Sequence, residues 1–104
     1  MSGRSSRQKG YRGEAEVIDL LRGAGHEVDR RGSGDAGDDI RFRAFPDWYV
    51  EVRRRETLAI PAWCREIEAK AEGKTALLIF RRSREPWRVC LLLNEFLRLM
   101  EVGK

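Results

Sequence analysis

Three carboxylates and one guanidinium stand at spacings that could build a single chemical site in this chain. They are Glu14, Asp39, Glu51 and Arg53. Carboxylate oxygens are the ligands that hard divalent cations such as Mg²⁺ prefer, and a bound cation can polarise a phosphodiester and activate water. If the four side chains converge, the sequence predicts a metal-dependent site for phosphodiester cleavage.

Two strand-like segments carry most of this set. Residues 39–43 and 48–54 alternate between charged and apolar side chains, and a turn around Phe45 would join them as a hairpin. A register that pairs Asp39 with Glu51 would set their carboxylates about 5 Å apart, the usual spacing of cross-strand neighbours. In another register these residues would form a solvated charged face, and that alternative stays open.

Glu14 belongs to the helix that we predict from Ser6 or Arg7 to Ala24. The apolar stripe of this helix comprises Tyr11, Ala15, Ile18 and Leu21, widened by Val17 and Leu20. Because Glu14 lies one turn before Ile18, its carboxylate should face the core, where a charge is costly unless it is paired or binds a metal. A stripe-edge acid paired with an arginine is the other interpretation.

The remaining elements predict one α/β domain with a mixed sheet flanked by helices, in the order αβββαββα. We expect a strand over 26–30, the hairpin, a helix from Pro61 to Ala71, strands over 75–80 and 88–92, and a last helix over 94–100. Residues 1–8 should form a flexible basic arm, and 9–104 the folded domain.

Charge favours a nucleic-acid partner. The 104 residues carry a net charge of +4 with a pI of about 9.5, and arginine supplies 17 of the 21 cations. The candidate DNA-contacting residues are Arg4, Arg7, Lys9, Arg30, Arg31, Arg54 and Arg55, although the basic runs could also be solvated strand ends.

Other classes are disfavoured. No apolar run approaches the ~18 residues of a membrane span, and the first residues lack an apolar signal core, so we expect a cytoplasmic protein. Cys64 and Cys90 are far apart in sequence and favour reduced thiols rather than a zinc site.

The set Glu14, Asp39 and Glu51-Val52-Arg53 resembles the PD-(D/E)XK nuclease signature, and the chain is more narrowly similar to archaeal-type Holliday junction resolvases and their phage relatives. The similarity includes Gly10-Tyr11-Arg12-Gly13-Glu14 on the first helix and Gly32-Ser33-Gly34 before the strand aspartate. It extends over most of residues 7–80 and implies a restriction-endonuclease-like fold.

The resemblance also implies a mechanism. Mg²⁺, or Mn²⁺ in its place, would be held by Glu14, Asp39, Glu51 and the Val52 carbonyl. Arg53 would stabilise the transition-state phosphate, and Ser33 would contact the phosphate or order its loop. The substrate would be a four-way DNA junction cut by paired symmetric nicks, and the protein a homodimer.

Two positions depart from the family pattern. Asp38 and Asp39 are adjacent, and we choose Asp39 as the ligand because it directly precedes the apolar Ile40. Arg53 replaces the family's lysine and cannot readily transfer a proton. A PD-(D/E)XK repair or nicking nuclease with another DNA substrate, or a non-catalytic DNA-binding module, therefore stays open as an alternative.

The C-terminal region is richer in apolar residues than a short one-sided helix needs. These residues are Leu91, Leu92, Leu93, Phe96, Leu97, Leu99 and Met100. An exposed apolar surface of this kind is typical of a contact between subunits. We therefore expect the dimer contact at this end of the chain.

Overall fold

The computed structural model describes the backbone of residues 2–31 and 37–102, and the side chains of 12–31 and 37–101. In this part of the chain the elements are α1 (Ser2–Gly23), β1 (Val28–Arg30), β2 (Ile40–Phe42), β3 (Trp48–Arg54), α2 (Ile60–Ala71), β4 (Thr75–Arg81), β5 (Arg88–Cys90) and α3 (Leu93–Val102). The predicted order αβββαββα is confirmed.

The five strands form one mixed sheet in the order β1-β2-β3-β4-β5. Strands β3 and β4 are parallel, and the other neighbouring pairs are antiparallel. The parallel pair requires a crossover, which α2 supplies. Since β3 lies at the centre of the sheet, the second half of the predicted signature stands on its most enclosed strand.

A helix covers each face of the sheet. On one face α1 places Val17 and Ile18 in a core with Val50 and Val52. On the other face α2 places Trp63 and Ile67 in a second core with Tyr49, Leu78 and Phe80. Burial on both faces explains why β3 and β4 are apolar along most of their length.

The β2–β3 hairpin has the predicted register. Ile40 pairs with Val50, as the predicted register requires, but β2 begins at Ile40, so the predicted pair of Asp39 with Glu51 is not part of the backbone ladder. The Asp39 N–H donates to the Val50 carbonyl at 2.8 Å. The predicted register is therefore confirmed at Ile40, and Asp39 lies just beyond the paired part of β2.

The first helix differs from the prediction at both its start and its apolar stripe. It begins at Ser2 rather than at Ser6 or Arg7, so most of the predicted arm has helical backbone. Leu20, predicted to widen the stripe, is 60% exposed. No helix in the described chain is long and apolar enough to cross a membrane.

In the second half of the chain one strand is shorter than predicted, and the two cysteines are free thiols as predicted but lie closer together than their separation in sequence suggests. The last strand ends at Cys90, two residues before the predicted Leu92. Cys64 and Cys90, separated in sequence, bring their Sγ atoms to 3.4 Å across the α2–β5 contact, and both are free thiols. Burial is the largest of the effects that raise the pKa of the Cys64 thiol to about 11, which disfavours its reactive thiolate form.

Candidate active site

The site lies where β2 begins beside the middle of β3. Beyond the Ile40–Val50 pair, aspartate side chains rather than backbone carbonyls accept the N–H groups of β3. Asp39 Oδ2 accepts the Val52 N–H at 2.8 Å, and Asp38 Oδ2 accepts the Val50 N–H at 3.2 Å. Asp39 therefore reaches further along β3 than Asp38, towards the Glu51-Val52-Arg53 segment.

Glu14 and Asp39 form an interacting pair of carboxyl groups. Burial is the main cause that raises the pKa of Glu14 to about 7, and the negative charge of Asp39 adds to it. Arg30, whose Nε lies 3.3 Å from Glu14 Oε2, opposes that rise. The two carboxyls lie within hydrogen-bonding reach of each other, and such a contact requires a proton on one of them.

The pKa of Asp39 is also raised. Its burial is the largest cause, the bond from the Val52 N–H opposes it, and the negative charge of Glu51 adds to the rise. Asp39 thus interacts with both of the other predicted carboxylates, with Glu14 through a hydrogen bond and with Glu51 through charge. This arrangement supports Asp39 over Asp38, because Asp38 pairs with Arg31 instead.

Gly13 explains how α1 can bring Glu14 this close to the sheet. A Cβ atom at position 13 would lie 3.3 Å from the Trp87 ring, 3.5 Å from Arg54 Cβ and 3.8 Å from Val52 Cγ1. The absence of a side chain therefore lets the helix backbone approach β3 one residue before Glu14. The Gly-Glu part of the sequence motif has this physical basis.

Glu51 is only 7% exposed and is surrounded by donors. Its Oε2 lies 3.2 Å from Arg53 Nη2, and its Oε1 lies 3.5 Å from Lys70 Nζ. Tyr49 is hydrogen-bonded to Glu51, and burial together with the nearby carboxylates raises the pKa of Tyr49 to about 12. Tyr49 therefore stays a neutral donor to this carboxylate.

Arg53 is held from several directions. Its Nη2 also lies 3.0 Å from Glu66 Oε2, and its guanidinium stands over the Trp63 ring with the carbon 5.2 Å from the ring centroid. The side chain is 16% exposed. These contacts fix the guanidinium beside Glu51, and a cation fixed in this way can stabilise negative charge on a neighbouring group without having to move.

Sequence reasoning missed the contribution of α2 to this site. Trp63, Glu66 and Lys70 lie on adjacent positions of one helix surface, at the spacing i, i+3, i+7. The spacing of these three residues can be read from the sequence. That their side chains contact Glu51 and Arg53 cannot, because it depends on how α2 packs across β3.

The donor set of three carboxylates fits a hard divalent cation. Even so, no group of three or more metal-ligating side chains in the described chain already has the geometry to hold one. The contacts explain why. The contact between Glu14 and Asp39 requires a proton on one of them, whereas Glu51 is engaged by Arg53 and Lys70. A metal would have to replace that proton and compete with those cations.

The position or role of some predicted site residues is outside what the described part of the chain shows. Ser33 lies outside the described residues, and the side chains of Arg4, Arg7 and Lys9 are outside the described part of α1. Val52 has a buried side chain, and its N–H is bonded to Asp39. A metal contact of its carbonyl stays a prediction.

The other predicted DNA-contacting arginines differ in how they are engaged. Arg30 pairs with Glu14, Arg31 with Asp38 at 3.4 Å, Arg54 lies 3.8 Å from Glu16, and Arg55 donates to the Arg54 carbonyl at 3.0 Å. Arg31 and Arg55 are the exposed members of this group. They have the access that a DNA contact needs.

Comparison with known proteins gives a fold. No protein-family model and no curated protein matches the chain. Among solved structures it is similar to Hjc, a Holliday junction resolvase from the archaeal hyperthermophile Archaeoglobus fulgidus. The TM-score is 0.56 and the identity 23%, over 80% of this chain and 72% of that one. The predicted resemblance is confirmed at the level of architecture: the chain has the fold of an archaeal Holliday junction resolvase.

Proposed function

We propose that this protein is a metal-dependent endodeoxyribonuclease that cleaves four-way DNA junctions by paired symmetric nicks. The observation that carries the proposal is the carboxyl pair of Glu14 and Asp39, which lies beside Glu51 on the fold of a resolvase. A half-buried pair with raised pKa values is costly for a structural site and useful for a site that exchanges a proton for a cation.

The proposed ligands are Glu14, Asp39, Glu51 and the Val52 carbonyl, and the proposed metal is Mg²⁺ or Mn²⁺. When bound, such an ion supplies Lewis-acid activation of water and of the phosphate. Asp39 is already oriented by the Val52 N–H. The neighbouring peptide therefore fixes this carboxylate before any ligand binds, which reduces the ordering cost of binding.

Arg53 is proposed to hold a non-bridging phosphate oxygen and to stabilise the negative charge that develops on it. Its guanidinium is fixed by Glu51, Glu66 and Trp63. Because arginine stays protonated, it does not serve as the base. Ser33 is proposed to contact the same phosphate.

Paired nicks require two sites, and one chain offers one. We propose a two-fold homodimer, the commonest closed arrangement of two identical subunits. The proposed contact is the apolar surface of β5 and α3, where Val89, Leu93, Phe96, Leu97 and Met100 are each about half exposed or more. Apolar side chains on one surface favour a partner over solvent.

One observation favours a second candidate function, a non-catalytic DNA-binding module with the same fold. Glu51 is engaged by two cations, and the described residues hold no preformed cage of three ligands. In this alternative Arg53 and Lys70 neutralise Glu51 permanently. Another PD-(D/E)XK nuclease with a different DNA substrate is the remaining alternative.

Nick mapping separates these functions. A synthetic four-way junction, labelled on each strand in turn, is incubated with the protein in Mg²⁺ beside a linear duplex of matched sequence. The proposal predicts paired nicks at symmetric positions of the junction and little cleavage of the duplex. Equal cleavage of both substrates would identify a nuclease of other specificity, and binding without any cleavage would identify the binding module.

A further inference from the structure

A small polar cavity lies next to the candidate active site. It is lined by Arg31, Asp38, Arg41, Pro46, Trp48 and Lys74 and has a volume of about 150 Å³. This volume corresponds to about five water molecules at ~30 Å³ each, and it is well below the ~300–1,000 Å³ of typical small-molecule pockets. Its size therefore suits one small polar group.

The charges in the cavity select an anion. Two arginines and one lysine face a single carboxylate. That carboxylate, Asp38, already pairs with Arg31 Nε at 3.4 Å and accepts the Val50 N–H at 3.2 Å. The two remaining cations, Arg41 and Lys74, thus supply positive charge that Asp38 does not neutralise.

Arg41 and Lys74 are also accessible. Both are exposed, and neither forms an ion pair with another residue in the described chain. The nearby carboxylate of Asp29 does not engage Arg41, because the charge of Arg43, its hydrogen-bonded partner, lowers the pKa of Asp29 more than the charge of Arg41 does. Two exposed cations that converge on a cavity from different elements make a better phosphate site than isolated surface charges, because one anion can contact both.

The position of the cavity links it to the candidate chemistry. Asp38 directly precedes Asp39, and Trp48 lies three residues before Glu51 on β3. At ~3.3 Å per strand residue, the backbone of Trp48, which lines the cavity, is about 10 Å along β3 from that of Glu51. A DNA strand whose scissile phosphate met the carboxylates would carry a further phosphate within this reach.

We propose that this cavity binds a backbone phosphate of the cleaved DNA strand, close to the scissile phosphate. Arg41 and Lys74 donate to its oxygens, and Arg31, oriented by Asp38, donates from the side. The inference rests on the proposed function, which it extends with a phosphate subsite. It also assigns to DNA contact two residues, Arg41 and Lys74, that the sequence did not single out.

The first test measures binding without cleavage. Junction affinity is determined in a chelator, at several salt concentrations, for the wild type and for Arg41→Gln/Lys74→Gln. The matched control is Arg65→Gln/Arg88→Gln, which removes the same charge from two exposed positions outside the cavity. We expect the cavity variant to bind about tenfold more weakly than the control and to lower the salt slope by about one further unit. Equal affinities for the two variants would overturn the inference.

The second test identifies the phosphate. Single methylphosphonates, which remove one backbone charge, are scanned along the junction strand near the branch point. In the wild type one position should weaken binding most, and the cavity variant should lose no further affinity there. An additive loss at every position would overturn the subsite. Absence of metal-dependent cleavage would refute the proposed function while leaving this binding result intact, and absence of DNA binding by the wild type would refute both.

Discussion

At the level of single residues, Arg53 is the cation that we propose to stabilise the reacting phosphate. Its guanidinium is fixed by Glu51, Glu66 and Trp63. We predict that Arg53→Gln lowers the cleavage rate at saturating protein by about 100-fold, because one charge-stabilising donor is lost. Arg53→Lys, which keeps the charge, should retain most of the rate.

The control for this prediction is Arg65→Gln, an exposed arginine next to Glu66 on the same helix. It removes one positive charge outside the site and should cleave like the wild type. Single-turnover cleavage of a labelled junction measures all three variants. A wild-type rate for Arg53→Gln would show that the guanidinium does not act on the reacting phosphate.

Glu14 gives a pH prediction at the same scale. Its pKa rises from 4.5 to about 7 on folding, mainly through burial. The folded chain therefore binds the proton more tightly than the unfolded chain. The stability linked to this proton is fully present below about pH 4.5 and is lost as the pH rises through about 7. Above that pH a divalent cation should substitute for the proton.

Thermal unfolding checks the sign. Relative to Glu14→Gln, which cannot ionise, the wild type should lose melting temperature between about pH 5 and about pH 8. MgCl2 should raise the wild-type melting temperature more at the higher pH and have little effect on the variant. A wild-type curve parallel to that of Glu14→Gln, with or without Mg²⁺, would contradict a raised pKa at this carboxyl.

At the scale of elements, the contact of α1 with β3 positions Glu14. A Cβ at Gly13 would meet the Trp87 ring at 3.3 Å, whereas a Cβ at Gly23 meets nothing within 4 Å. We predict that Gly13→Val lowers the free energy of unfolding by about 1–3 kcal/mol through overpacking. It should also reduce cleavage more than binding, because it displaces the helix that carries Glu14.

Gly23→Val is the matched control, since it adds the same side chain at an open position of the same helix. Denaturant unfolding and junction cleavage are measured for both variants. If the two substitutions had equal effects on stability and cleavage, close approach at Gly13 would not be what positions Glu14.

The elements also explain what the sequence could predict. Alternation in 39–43 and 48–54 predicted the hairpin but left its register open, because β3 is buried on both faces and its pattern does not mark one face as the inner one. The helix pattern predicted only that Glu14 faces the core, and its proximity to Asp39 came from the family resemblance. The partners of Glu51 and Arg53 on α2 did not follow, since nothing local encodes the packing of that helix across β3. The Cys64–Cys90 contact escaped prediction for the same reason.

At the scale of the whole molecule, the proposed function requires two copies of the site. Phe96 lies on the exposed apolar stripe of α3 and is 48% exposed. We predict that Phe96→Glu yields monomers and uncouples the paired nicks, because a charge in an apolar interface loses its hydration without a partner. Asn94→Glu, an exposed position between Leu93 and Glu95, adds the same charge off the stripe and should stay dimeric.

This prediction is tested by light scattering at micromolar protein concentration, which gives the oligomeric state, and by nick mapping on both strands. Circular dichroism verifies that the Phe96→Glu chain is folded. A monomeric wild type that still makes paired nicks would refute the dimer and weaken the proposal of junction resolution.

We propose that Asp39, which the Val52 N–H holds and which interacts with both Glu14 and Glu51, serves metal-dependent cleavage of DNA. Asp39→Asn keeps the shape of the side chain and removes its charge. The most direct measurement compares junction cleavage in Mg²⁺ with junction affinity in a chelator, for this variant and the wild type. We expect Asp39→Asn to lose cleavage by at least about 100-fold with affinity nearly unchanged, because metal ligands serve the chemical step and surface cations supply most of the binding. Cleavage by Asp39→Asn at close to the wild-type rate would contradict this role of Asp39.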